Sequence, residues 1–184
     1  QICHTALEYR IKRTKEAKPE NAPLLYMYGA FGKRLKKADS VDELFKNGRA
    51  TVSLGYIGLY EVCTRFFGNW EQNPKAHDFA ESITKALNEK CRKWAKESGY
   101  HYSLYSTPAE SLTDTFCRDD YEKFGSIPDI TAKEYYTNSF HFDVRKHPNP
   151  FEKLTFEEIF PKYASGGFIH YCEYPNLRQN PKAL

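Results

Sequence analysis

The stretch Tyr100–Cys117, "YHYSLYSTPAESLTDTFC", decides how this chain is read, because two periodicities meet in it with no linker between them. Residues 100–106 read as a strand. From 108 to 123 a helix follows, with Leu112, Phe116 and later Phe124 at roughly helical spacing. Thr107 is placed to cap that helix, Pro108 suits its first position, and Glu110 stands where a capping box wants a carboxylate. A strand running straight into a helix start belongs to an α/β unit. It sets the helix N-terminus at the carboxyl edge of a parallel sheet, where ligands of such folds bind. The same atoms support two readings. One is a well-made helix start. The other is a phosphate site, since a helix start presents free N–H groups and partial positive charge and nearby hydroxyls add donors.

Outward from this point the elements alternate. Residues 2–17 predict a helix ended by Pro19 and Pro23, and "PLLYMYG" (23–29) reads as a short buried strand or extended segment. A polar loop with one turn at Val41–Phe45 leads to the strand-like "ATVSLGYIGLYE" (50–61), which breaks at Gly55 and Gly58. "LYEVCTRFFG" predicts a helix closed by Gly68. Residues 74–98 predict a long helix with a stripe of Phe79, Ile83, Leu87, Cys91 and Trp94, stopped by Gly99. Beyond the opening stretch, "YYTNSFHFDV" (135–144) reads as a strand with alternating faces. Residues 155–164 read as a helix capped by Thr155 with Glu158, and "GGFIHYCEY" (166–174) as a last strand. The order predicts an α/β fold with a mostly parallel sheet, in one piece from 1 to 184.

The 184 residues suffice for a real core, and 14 Tyr with 13 Phe imply dense packing. A net charge of +3 gives no reason to expect nucleic acid or anionic lipid, and no apolar run is long enough to span a membrane. Five cysteines without a CxxC pair argue against a disulfide framework or zinc knuckle and fit a reducing cytoplasm. The chain opens on Gln1 inside a predicted helix and closes on "NLRQNPKAL", so the expectation is a piece of a larger protein.

Four segments, "TVSLGYIGLYE", "YSLYSTPAESLTDTFC", "YYTNSFHFDV" and "GGFIHYCEYPN", stand in an order that resembles the anaerobic, oxygen-sensitive ribonucleoside-triphosphate reductases. These are the class III, glycyl-radical ribonucleotide reductases, and the similarity runs from about Cys3 to Leu184. The resemblance implies part of a ten-stranded α/β barrel. It implies radical reduction of ribonucleoside triphosphates to deoxyribonucleotides for DNA replication, in the cytoplasm. It further implies a glycyl radical installed by a radical S-adenosylmethionine activase, a homodimeric parent, formate as reductant, a zinc site and regulatory nucleotides. None of those cofactors is assigned to residues here: no "RVxGY" glycyl motif or CxxC pair is present, and no cysteine is taken as the radical carrier. The piece is expected to lack turnover alone, and a barrel so cut would self-associate through its strand edges. What the resemblance does carry over is the substrate-phosphate end of the site, at Ser106, Thr107, Ala109, Glu110 and Ser111, with the N–H groups of 109–111 and the hydroxyls of Ser106, Thr107 and Ser111 as the implied donors. Glu110 is the odd member, since a carboxylate repels a triphosphate, and it is expected to turn back as a cap.

Asn138, Ser139 and His141 are expected to point into the barrel, toward substrate or the glycyl loop, with hydrogen bonding in the core as the plainer reading. His141 and Asp143 would share a strand face, and so suggest a metal site or, with Cys117, a nucleophile and base; a satisfied strand histidine is the commoner case. Tyr56 and Tyr60 read as packing residues. Two alternatives stay open: another glycyl-radical enzyme, such as a pyruvate formate-lyase-like acyltransferase, and a non-catalytic nucleotide-binding module.

Overall fold

In the computed structural model, which describes residues 1–172 and Arg178, the chain order is α1 (Ile2–Lys15), α2 (Pro23–Tyr26), β1 (Thr51–Gly55), α3 (Leu59–Phe67), α4 (Pro74–Ser98), β2 (His101–Tyr105), α5 (Glu110–Phe124) and α6 (Pro150–Glu157), with short 3-10 turns between. The architecture is mixed α/β: helices with a small parallel sheet in which β1 pairs with β2. The chain divides into two compact units, residues 1–54 with 86–105, and residues 55–85 with 106 onward.

The first unit holds α1, α2, most of β1, the end of α4, and β2. Leu35, Val41 and Leu44 form a buried cluster against Tyr26, Phe31 and Ala50. Ser40 caps the 3-10 turn Val41–Leu44 by accepting the Asp42 N–H. "PLLYMYG" is not a strand. Pro23 presets the backbone angle of a helix start, Leu25 and Tyr26 donate to Ala22 O, and Leu24 and Leu25 remain exposed.

The second unit centres on Leu59, Tyr60 and Cys63 of α3, on Ala76 and Ala80 of α4, and on Trp70, Phe140 and Phe160. Phe160 stacks on Phe140 at 5.2 Å and on Trp70 at 6.2 Å between ring centres. Gly68 closes α3 at φ +79°, a left-handed angle that suits glycine. Helix α4 has the predicted bounds, but its fully buried line runs through Ala76, Ala80, Thr84, Asn88 and Cys91. Phe79, Ile83, Leu87 and Trp94 flank that line, half-buried. Small residues let the helix approach its neighbours closely, and the large ones seal the sides.

Two further predicted strands, at 135–144 and 166–174, are absent among the described residues. Segment 135–144 makes one antiparallel bridge, Asn138 to Ile57, and then turns: Ser139 takes φ +44° and His141 N–H donates back to Asn138 O. The Asn-Ser pair supplies the turn chemistry that overrides the alternating pattern. Segment 166–172 makes one parallel bridge, Phe168 to Ser106; residues 173–174 of that expected strand lie outside the described residues. Helix α6 starts a turn earlier than predicted. Asn149 accepts the N–H groups of Phe151 and Glu152, Glu152 accepts the Asn149 N–H, and Pro150 takes the first position. That box lies upstream of the Thr155–Glu158 one and sets the start.

Candidate functional site

Three segments of the second unit converge on the start of α5: residues 56–61, 106–111 and 136–139. Ser106 is buried. Its N–H donates to Gly167 O at 3.0 Å, and its Oγ donates to Tyr56 Oη at 3.0 Å. Burial pushes the Tyr56 phenol above its ordinary value, against the opposing effect of the Ser106 hydrogen bond, so Tyr56 stays neutral. Thr107, Pro108 and Ala109 are half-buried, and Glu110 and Ser111 are exposed.

The cap of α5 differs from the predicted one. The N-cap residue is Ala109, no local side chain caps the helix, and neither Thr107 nor Glu110 forms the expected box. Asn138 Oδ1 accepts the Ala109 N–H at 2.8 Å instead, from 29 residues downstream. Ser139, buried and in a left-handed conformation, directs its Oγ to Thr107 O at 3.4 Å. Tyr136 N–H donates to Thr113 O, which docks the segment along the first turns of α5. Asn138 and Ser139 therefore do meet the 106–111 loop. The N–H groups of Glu110 and Ser111 lie in the first helical turn and have no acceptor within the helix. They belong to the positive end of the helix dipole, and both residues are exposed.

His141 goes elsewhere. It is buried with Nδ1 3.4 Å from Glu157 Oε1, and its Nε2 has no hydrogen-bond partner among the described residues. Glu157 also receives Lys153 Nζ and the Phe142 N–H. Burial pushes the Glu157 carboxyl up, but hydrogen bonds from His141, Lys153 and Phe142 outweigh it and hold it below its ordinary value. Asp143 does not share a face with His141, because the segment is not a strand: it accepts from the Arg145 backbone and guanidinium, which outweigh burial and lower its carboxyl. Cys117 is buried against the carbonyls of Ile130 and Thr131, and burial raises its thiol above the ordinary range, so it is no poised nucleophile.

The sequence reading missed the support behind the loop. Glu61 on α3 pairs with Lys133, and both hold Thr137, the residue before Asn138. Their separation of 72 residues leaves no local signal.

A family model described as "Anaerobic ribonucleoside-triphosphate reductase" matches residues 1–184. The chain is 49% identical over 185 residues to the anaerobic ribonucleoside-triphosphate reductase of Haemophilus influenzae, and 48% over 185 residues to that of Escherichia coli; each alignment covers 100% of this chain and 26% of the relative. Against the protein of that name from Enterobacteria phage T4 it is 44% identical over 183 residues, 29% of the relative's length. The chain thus spans roughly a quarter of the curated relatives it matches. The match covers the loop at 106–111 and everything that braces it, and on this ground the chain belongs to the anaerobic ribonucleoside-triphosphate reductase family.

Proposed function

We propose that this chain is part of an enzyme that reduces ribonucleoside triphosphates to deoxyribonucleoside triphosphates anaerobically, and that it supplies the substrate-phosphate site at the start of α5. One observation carries the reading: the exposed residues Glu110 and Ser111 carry first-turn N–H groups with no helix acceptor, directly after a segment that Tyr56, Asn138 and Ser139 hold in place. Rigid donors that need no reordering bind an anion at lower entropic cost. Thr107 and Ser111 hydroxyls would add donors from the loop. Ser106 and Ala109 act from behind, since their polar groups already meet Tyr56 and Asn138. Glu110 is exposed, and its carboxylate in the first turn interacts favourably with the helix dipole while solvent weakens its repulsion of a bound anion.

In this reading the chain is one piece of the ten-stranded barrel of a cytoplasmic, homodimeric parent. The radical glycine, its activase, the active-site cysteines, the formate, the zinc site and the effector nucleotides belong to parts of that system beyond these residues. No described helix is long and apolar enough to cross a membrane. The family match disfavours a pyruvate formate-lyase-like enzyme or a free-standing nucleotide module.

The test is steady-state kinetics of the intact reductase carrying Thr107→Ala or Ser111→Ala. Losing one hydrogen bond to a charged phosphate corresponds to about 1.5–3 kcal/mol, hence a KM for the triphosphate raised roughly tenfold or more. An unchanged KM in both variants overturns the assignment.

A further inference from the structure

The buried pair Glu61–Lys133 has a geometry that bears on the same loop. Lys133 Nζ lies 2.6 Å from Glu61 Oε1, with side-chain exposures of 1% and 5%. That oxygen also accepts the Thr137 N–H and Thr137 Oγ, each at 2.9 Å, while the Thr137 hydroxyl accepts from Lys133 at 2.8 Å. Gly58, at the start of α3, donates its N–H to Thr137 O at 2.8 Å. Thr137 is thus held through N–H, carbonyl and hydroxyl at once by the first turn of α3 and by Lys133. Asn138 follows directly, bridges to Ile57, and gives its Oδ1 to the Ala109 N–H. A buried ion pair is no better a source of stability than apolar residues of the same volume. What it does provide is directionality: one carboxylate oxygen collects three donors and fixes the place of the residue that caps α5.

The geometry points to Glu61 and Asn138 as positioning residues for the phosphate-binding helix start. Glu61, neutralised by Lys133, fixes Thr137; Thr137 fixes Asn138; Asn138 takes the Ala109 N–H and so sets the angle at which the Glu110 and Ser111 N–H groups meet the triphosphate. Glu61 touches no substrate in this arrangement. The inference rests on the phosphate reading above.

The experiment is a double-mutant cycle in the intact reductase, read as KM for a ribonucleoside triphosphate and kcat separately, with Ser111→Ala alongside. Asn138→Ala is expected to raise KM about tenfold with kcat within about twofold, as for lost binding common to ground and transition states. Glu61→Gln is expected to raise KM in the wild-type background and to add nothing in the Asn138→Ala background. Thr137→Val is the second route where Glu61→Gln does not fold, because it removes one donor without stranding Lys133; its smaller KM effect should also vanish in Asn138→Ala. Additive effects, or an unchanged KM in Asn138→Ala while Ser111→Ala raises it, overturn the positioning role and leave the phosphate site standing. An unchanged KM in Ser111→Ala and Asn138→Ala alike overturns both.

Discussion

Replacing Lys133 by methionine removes one charge of a buried pair and leaves the other in place. Glu61 is 4% exposed, and its Oε2 has no partner among the described residues, so the carboxylate that remains cannot turn to water without moving α3. Lys133 also sits 4.4 Å over the Tyr60 ring and 5.0 Å over Tyr135, contacts that a thioether keeps only as packing. Breaking such a pair costs about 3–5 kcal/mol. Thr137 still gives Glu61 two donors, which places Lys133→Met near the lower end, about 3 kcal/mol. The double variant Lys133→Met with Glu61→Gln has no buried charge, and its amide oxygen still accepts the Thr137 N–H, so it should lie within about 1 kcal/mol of the wild type. Hydrogen exchange of peptides covering residues 131–141 in the intact reductase reads this locally. The single variant should exchange about 100-fold faster and the double variant nearly as slowly as wild type. Equal exchange in single variant and wild type, or a double variant as fast as the single one, refutes the argument that charge isolation sets the cost.

Three further outcomes follow from single contacts. Glu157 has its carboxyl held below the ordinary value of 4.5, so its contribution to stability is complete above that value and is lost as pH falls through the lower, folded-state one; Glu157→Gln should flatten that acid limb in urea unfolding measured from neutral pH down to about 3. Asn149→Ala removes the acceptor for two N–H groups of α6 and should cost about 1 kcal/mol by urea unfolding, whereas Thr155→Ala, on an exposed position within the helix, should cost far less. Burial pushes the Cys63 thiol up to about 12 and Cys91 to about 11, so both should resist iodoacetamide at about pH 8 in the native protein while exposed Cys3 alkylates; rapid labelling of Cys63 or Cys91 would contradict their burial.

What was legible in the sequence follows the range of the interactions. The bounds of α4, the closure of α3 at Gly68 and the strand β1 rest on periodicity and local backbone chemistry, and they were read correctly. The failures are places where a local pattern lost to a competing one. The Leu-Leu-Tyr run after Pro23 looked buried but is a short exposed helix, because a proline start and turn hydrogen bonds suffice for four residues. The alternation in 135–144 predicts a strand but breaks at Ser139, which takes a left-handed angle and sets its Oγ 3.4 Å from Thr107 O. Glu61, Lys133 and Thr137 were invisible because nothing in their own neighbourhoods marks them; only folding brings them together.

The same distinction separates the two readings of "STPAES". A helix start that caps itself uses its own hydroxyl and carboxylate on its own N–H groups, and little is left for a ligand. In this chain the Ala109 N–H goes to Asn138 from another segment, and Thr107 and Glu110 form no cap. The helix gains the stabilisation of a cap without spending the loop's side chains. Each bracing contact also comes from another segment: Ser106 to Tyr56, Thr107 O to Ser139, Ala109 to Asn138. A segment needed only to begin a helix could do so more simply with Thr107 alone. Bracing by three distant residues, with first-turn N–H groups that no helix carbonyl accepts, is an arrangement consistent with the proposed anion site. If the proposed phosphate site is right, Asn138→Ala should therefore weaken triphosphate binding through the Ala109 N–H that Asn138 holds.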